Sequence, residues 1–172
     1  MKHRYLIALG SNVRHRRHGA PERVLRAALA RLDDADGIRA KAVSPIFRSA
    51  PLGPSRRRYA NAAAVLATRL GPDELLRHLK ALERHFGRKR GGRRWAARVL
   101  AHDIVLWDGG CWSAGGLTIP HVAYRERRFV LDPASAVARG WRDPLTHLTV
   151  AHLRARLTKP RPVRNDPAWS GP

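Results

Sequence analysis

The spacing of apolar positions divides the chain into short strand patterns and two amphipathic helices. The run Tyr5, Leu6, Ile7, Ala8 and Leu9 predicts a strand over 4–9. After a basic loop, Pro21 opens a helix whose apolar positions Val24, Leu25, Ala28, Leu29 and Leu32 recur at helical spacing and pack first on that strand. Beyond a turn at 33–37, residues 38–49 read as extended chain broken by Pro45, and Ala50-Pro51-Leu52-Gly53-Pro54 marks a loop. Residues 59–68 read as another strand, although Ala62-Ala63-Ala64 suits a helix on propensity alone. From Pro72 to about Phe86, Leu75, Leu76, Leu79, Leu82 and Phe86 define the clearest helix, and Gly87 is a natural terminator. A basic loop then leads into a strand at about 98–107, whose alternation puts Asp103 on a face with Val99, Ala101 and Val105. Asp108-Gly109-Gly110 is hairpin-turn chemistry that predicts a paired strand near 117–119. Short helical patterns follow near 124–131 and 149–157, and a Pro-rich charged tail over 159–172 is expected to pack poorly. Helices interspersed among strands, with no Gly-rich nucleotide fingerprint after the first strand, favour an α+β sheet in a single domain over a doubly wound fold.

Composition narrows the setting more than the chemistry. A chain of 172 residues fits one domain that buries roughly two-thirds of its unfolded surface. The single cysteine, Cys111, cannot form an intramolecular bridge or a cysteine metal cluster, which suits a reducing compartment with the cytoplasm as default. The first apolar stretch is too short for a signal-peptide core, and no segment approaches a membrane span, so no membrane partner is expected. The formal charge of +21 implies attraction to phosphate-rich partners. Only five of the 34 basic residues are lysine, so the arginine richness reflects genome composition as readily as a binding surface.

Four constellations bear on chemistry. The guanidinium cluster Arg88, Arg90, Arg93, Arg94 and Arg98 surrounds Trp95 and offers bidentate donors to phosphate oxygens, although a solvated basic loop explains the arginines if they stand alone. Asp103, an acid among apolar residues, is a candidate magnesium ligand, and an ion pair with a loop arginine is the competing explanation. Tyr59 and Asn61 share a strand face beyond Ser49, where a ring and an amide can hold a flat heteroaromatic ligand. A structural tyrosine and a turn-capping asparagine account for them almost as well. Pro120-His121 with Arg125, Arg127, Arg128 and Phe129 is the fourth, in which His121 alone reads as a packed or surface histidine.

In order and spacing, residues 4–150 resemble the 6-hydroxymethyl-7,8-dihydropterin pyrophosphokinase family. The resemblance rests on Tyr-Leu-Ile-Ala-Leu-Gly-Ser-Asn at 5–12, Pro51-Leu52-Gly53 with Tyr59 and Asn61, and Glu83 with Gly87-Arg88. It continues through Arg94-Trp95 with Arg98, Asp103-Ile104, Ile119-Pro120-His121, and Arg127 with Phe129-Val130-Leu131. It implies a ferredoxin-like sheet flanked by helices, a pterin pyrophosphokinase-like domain over 1–158, and a monomer. It also implies that a pterin is stacked between aromatic rings while ATP binds alongside with two magnesium ions. Carried over by position, Phe129 is one stacking ring, Asn61 bonds the pterin edge, and Tyr59 lines the pocket with Ser49 and Leu52. Arg88, Arg98, Arg127 and His121 face phosphates or adjoining groups, Glu83 and Ile104 belong to the ATP side, and Arg90 and Trp95 lie on a loop that closes over the reactants. Closure keeps water from the transferred diphosphate.

The chain departs from the family pattern at five positions, Ala96, Ala97, Val99, Ala101 and His102. Where the family reads Leu-Asp-Leu-Asp, this chain reads Leu100-Ala101-His102-Asp103, which leaves Asp103 as the metal carboxylate and implies fewer magnesium ions than usual. His102 points to the other face of the strand, and imidazole suits magnesium less than oxygen does. Trp95-Ala96-Ala97-Arg98 replaces Trp-Gly-Pro-Arg, and Val99 replaces a threonine. Three functions follow in order: diphosphate transfer from ATP to the pterin in folate biosynthesis, a catalytically reduced paralogue that binds pterin or nucleotide without turnover, and, well behind, a nucleic-acid-binding module.

Overall fold

In the computed structural model, which describes residues 2–50, 57–87 and 99–159, the chain begins as the centre of a sheet. Strand β1 (His3–Ser11) lies between β4 (Tyr59–Thr68) and β5 (Ala101–Trp107), antiparallel to both. Strand β2 (Ile38–Val43) pairs with β4 on its outer side, giving the order β2-β4-β1-β5, and β3 (Phe47–Ser49) continues along β4 beyond the break at Pro45. Helices α1 (Pro21–Asp33) and α2 (Pro72–His85) make the two crossovers and share one face of the sheet; α3 (Arg128–Ala138) and α4 (Val150–Thr158) cover the other. This is the α+β arrangement expected, a ferredoxin-like sheet flanked by helices.

Two cores follow from two covered faces. The five apolar positions that define α1 are all buried, and with Leu75, Leu79, Leu82 and Phe86 of the α2 region they form one core. Leu6, Ala63, Val65, Tyr124, Val130 and Leu131 belong to the other. Strand β4 is covered on both sides, so its Ala62, Ala63 and Ala64 are all fully buried; strand pairing on both edges overrides the helix propensity of alanine. Glu74 accepts from the Gly71 N–H at 2.8 Å at the start of α2. At its other end Gly87 takes a φ of 89°, the left-handed region that glycine adopts without strain, and its N–H donates to the Arg84 carbonyl.

Three expectations change. The strand near 117–119 forms as β7 (Leu117–Ile119), but it pairs with β6 (Trp112–Ala114) in a separate two-stranded ribbon and not with β5, because the turn at 107–110 closes on itself. The pattern near 124–131 divides into a 3-10 turn at Tyr124–Glu126 and the start of α3, which continues through Pro133 to Ala138. Val99 precedes β5 and packs with the α1–α2 core, not on the face of Ala101 and Asp103. The expected tail falls, from residue 160 onward, outside the described residues. Among those described, no helix is long and apolar enough to cross a membrane.

Candidate functional site

The site forms at one end of the sheet, where β1 finishes and the antiparallel β4 and β5 begin. Gly10 pairs there with both Asn61 and Ala101, so the side chains of β4 and β5 converge across the smallest residue of β1. A cavity of 260 Å³ opens over this junction on the α3 face, lined by Ser49, Tyr59, Asn61, Asp103, His121, Arg127 and Phe129, together with Ala8, Leu9, Gly10, Ala50, Ala101 and Val130. Seven residues proposed from sequence are thus brought together from four regions of the chain. Asn61 is buried, and its Nδ2 donates to Ser49 Oγ at 2.9 Å, which fixes the amide plane at the cavity wall. Phe129 sits in the first turn of α3 with the Arg127 guanidinium 5.8 Å from its ring centroid, a cation–π contact.

A second cavity of 330 Å³ lies on the α2 face of the edge strand β5 and includes Glu83, His102, Asp103, Ile104 and His121, with Leu76, Leu79, Lys80, Gly116, Leu117, Thr118 and Val122. Asp103 and His121 belong to both cavities. Strand parity explains the division: Ala101 and Asp103 face the first cavity, whereas His102 and Ile104 turn towards α2. The His102 side chain is only 1% exposed, its backbone N–H donates to Glu83 Oε1 at 2.9 Å, and its Nδ1 is 3.7 Å from the same oxygen.

Around Asp103 the geometry is open but aligned. Its side chain is 45% exposed; His121 Nε2 is 3.8 Å from Oδ1 and Arg127 Nη1 is 3.9 Å from Oδ2, distances too long for direct hydrogen bonds. His121 Nδ1 accepts the Ala123 N–H at 3.2 Å, which assigns the ring proton to Nε2, the nitrogen facing Asp103. Burial lowers the His121 pKa; Asp103 opposes the shift and Arg127 reinforces it, leaving the imidazole neutral at pH 7. Arg127 is therefore the charged partner of Asp103 among the described residues. Asp103 is also suitable for magnesium, which is often held by one or two carboxylates with phosphate oxygens. No group of three or more His, Cys, Asp or Glu side chains among the described residues forms a further metal cluster. Asp108 is at the far end of β5 beside His3 and Arg4.

Arg88, Arg90, Trp95, Arg98 and Leu52 lie outside the described residues. Sequence reasoning missed the backbone wall at 8–10 and the α2 contribution of Leu76, Leu79 and Lys80 to the second cavity. Helical spacing had marked both leucines, and that same spacing carries Lys80 and Glu83 together.

Residues 6–139 match the family model described as 7,8-dihydro-6-hydroxymethylpterin-pyrophosphokinase (HPPK). The chain is 34% identical over 151 residues to the 2-amino-4-hydroxy-6-hydroxymethyldihydropteridine pyrophosphokinase of Synechocystis sp., covering 88% of this chain and 74% of the relative. The protein of the same description from Pseudomonas aeruginosa is 37% identical over 145 residues, covering 84% and 86%. Among solved structures, Plasmodium falciparum HPPK-DHPS with pteroate aligns with a TM-score of 0.69 at 10% identity, spanning 91% of this chain and 42% of that one, a likeness of fold.

Proposed function

The chain belongs to the 7,8-dihydro-6-hydroxymethylpterin-pyrophosphokinase family, and on that premise we propose that it transfers the diphosphate of ATP to 6-hydroxymethyl-7,8-dihydropterin in folate biosynthesis. The carrying observation is that two cavities on opposite faces of the sheet meet at Asp103 and His121. In this reading the pterin occupies the α3-side cavity, with Asn61 at its polar edge, Phe129 against its ring, and Ser49, Leu52 and Tyr59 around it. ATP occupies the α2-side cavity, bounded by Glu83 and Ile104, with its phosphates reaching the junction.

The reaction forms a bond from the pterin hydroxymethyl oxygen to the β-phosphorus and breaks the bond from that phosphorus to the bridging oxygen that departs with AMP; the hydroxyl proton is released. Arg127 supplies fixed positive charge and His121 a neutral N–H donor where phosphate charge passes between the cavities. Arg88, Arg90, Trp95 and Arg98 complete the phosphate-facing and closing set. Asp103 would hold magnesium, whose charge would be available to neutralise the phosphate oxygens. Ala101, beside Asp103 on the cavity wall, stands where the resemblance puts a second aspartate, so this chain is read as an atypical member with fewer magnesium ions. We further read 1–158 as one catalytic domain, followed by the tail 159–172, acting as a cytoplasmic monomer.

The test is AMP release from ATP with magnesium and 6-hydroxymethyl-7,8-dihydropterin, with Ala101→Asp measured beside wild type. Wild-type release well above the pterin-free blank is expected, and Ala101→Asp should increase it by about a hundredfold, the scale of one electrostatic stabiliser. Release by Ala101→Asp alone would mean that the natural chain binds without turnover. Release by neither would remove the enzyme reading.

A further inference from the structure

The pair of Arg125 and Asp143 has no part in the chemistry described above, yet it is built more tightly than anything in the site. Asp143 is fully buried, a costly place for a carboxylate unless it is paired and hydrogen-bonded. Arg125 meets it edge-on: Nε donates to Oδ2, and Nη2 donates to Oδ1 at 2.9 Å. The Leu145 N–H adds a third donor at 2.9 Å. The backbone of Asp143 is also held within its turn, its N–H donating to the Leu148 carbonyl and its carbonyl accepting from the His147 N–H. Burial by itself would push the Asp143 carboxyl up; the guanidinium and the Leu145 N–H reverse this and hold it well below the usual carboxylate range. The side chain is a charged post fixed in the α3–α4 layer.

Arg125 belongs to a stretch with little regular structure of its own. Residues 121–127 contain one 3-10 turn and touch β5 through the His121 N–H, which donates to the Val105 carbonyl at 3.1 Å. His121 and Arg127 flank Arg125 and are the two groups opposite Asp103 at the junction of the cavities. We propose that the Arg125–Asp143 pair is a positioning device that holds Arg127 at its station opposite Asp103, so that this phosphate-facing donor is set before a nucleotide arrives; His121 has its own anchor in its N–H bond to the Val105 carbonyl. Tyr124, buried in the core under α3 and α4, and the His121 N–H bond to Val105 hold the same stretch independently, so removing the pair loosens the aim of Arg127 without releasing the segment. This inference rests on the reading of Arg127 as a phosphate-facing group.

A double-mutant cycle tests it. The affinity of the magnesium complex of α,β-methylene ATP is measured by calorimetry for wild type, Asp143→Asn, Arg127→Ala and the double variant, with near-ultraviolet circular dichroism to establish that each is folded. Asp143→Asn is expected to weaken binding about tenfold in the wild-type background and less than about twofold in the Arg127→Ala background, because the pair acts through Arg127. Equal weakening in both backgrounds, or none in either, would overturn the proposal, since a purely structural role does not depend on whether residue 127 is arginine. If Asp143→Asn does not fold, Arg125→Lys, which keeps the charge and loses the planar fork, is put through the same cycle with the same two readings. Failure of wild type to bind the analogue overturns the nucleotide reading and this inference with it, whereas wild-type binding without coupling overturns this inference alone.

Discussion

At the scale of single residues, Asn61 illustrates how a modest sequence signal becomes a specific arrangement. Its position two residues after Tyr59 indicated a shared strand face, and both line the α3-side cavity; what the sequence could not convey is that Ser49, on a neighbouring strand, fixes the amide. Asn61→Ala should weaken pterin binding about tenfold, the worth of a neutral hydrogen bond at the upper end of its range, while leaving binding of the ATP analogue unchanged. Fluorescence titration with the pterin and calorimetry with the nucleotide separate the two, and an equal loss in both would mean that Asn61 acts through the fold. The contact between His102 and Glu83, 19 residues apart, was illegible for a different reason. Alternation assigned His102 to its face, but nothing local says that a helix brings a carboxylate there.

Elements with strong periodicity were legible, and those decided by tertiary contacts were not. The bounds of α1, α2 and β4 follow from apolar spacing together with Pro21, Pro72 and Gly87. The sequence reading gave a short helical pattern near 124–131, whereas α3 continues through Pro133, which lacks an N–H donor. Its apolar face of Val130, Leu131, Ala134 and Ala138, packed on the sheet, outweighs the one missing bond. The ribbon of β6 and β7 has three residues per strand, too few for alternation to assign a partner. Strand β4 makes the strongest demand on packing, since its alanines admit helices closely on both faces. Ala63→Leu should therefore cost about 1–3 kcal/mol through overpacking against α3, read as a lower urea midpoint with an unchanged slope; a midpoint equal to wild type would show slack in that layer.

For the molecule as a whole, charge and acid stability meet in Asp143. The folded carboxyl titrates below its unfolded value of about 3.9, so its contribution is fully present above that pH and is lost as pH falls through the folded value. Asp143→Asn should thus be less stable than wild type by about 2 kcal/mol at pH 7, with the gap narrowing below about pH 4. Urea midpoints at pH 7, 4 and 3 measure it, and a constant gap would rule out the carboxylate as its source. The net charge of +21 adds a repulsive background common to both proteins, which the comparison cancels. The fold class was legible across this scale and the pairing of cavities was not, because their junction depends on the segment at His121 docking back on β5 beside Asp103, which no local pattern shows. That the two cavities open on opposite faces of one sheet has a consequence for descent with modification. One pocket draws part of its wall from α2 and the other from α3, so a lineage can change the helix residues of one pocket while inheriting those of the other unchanged.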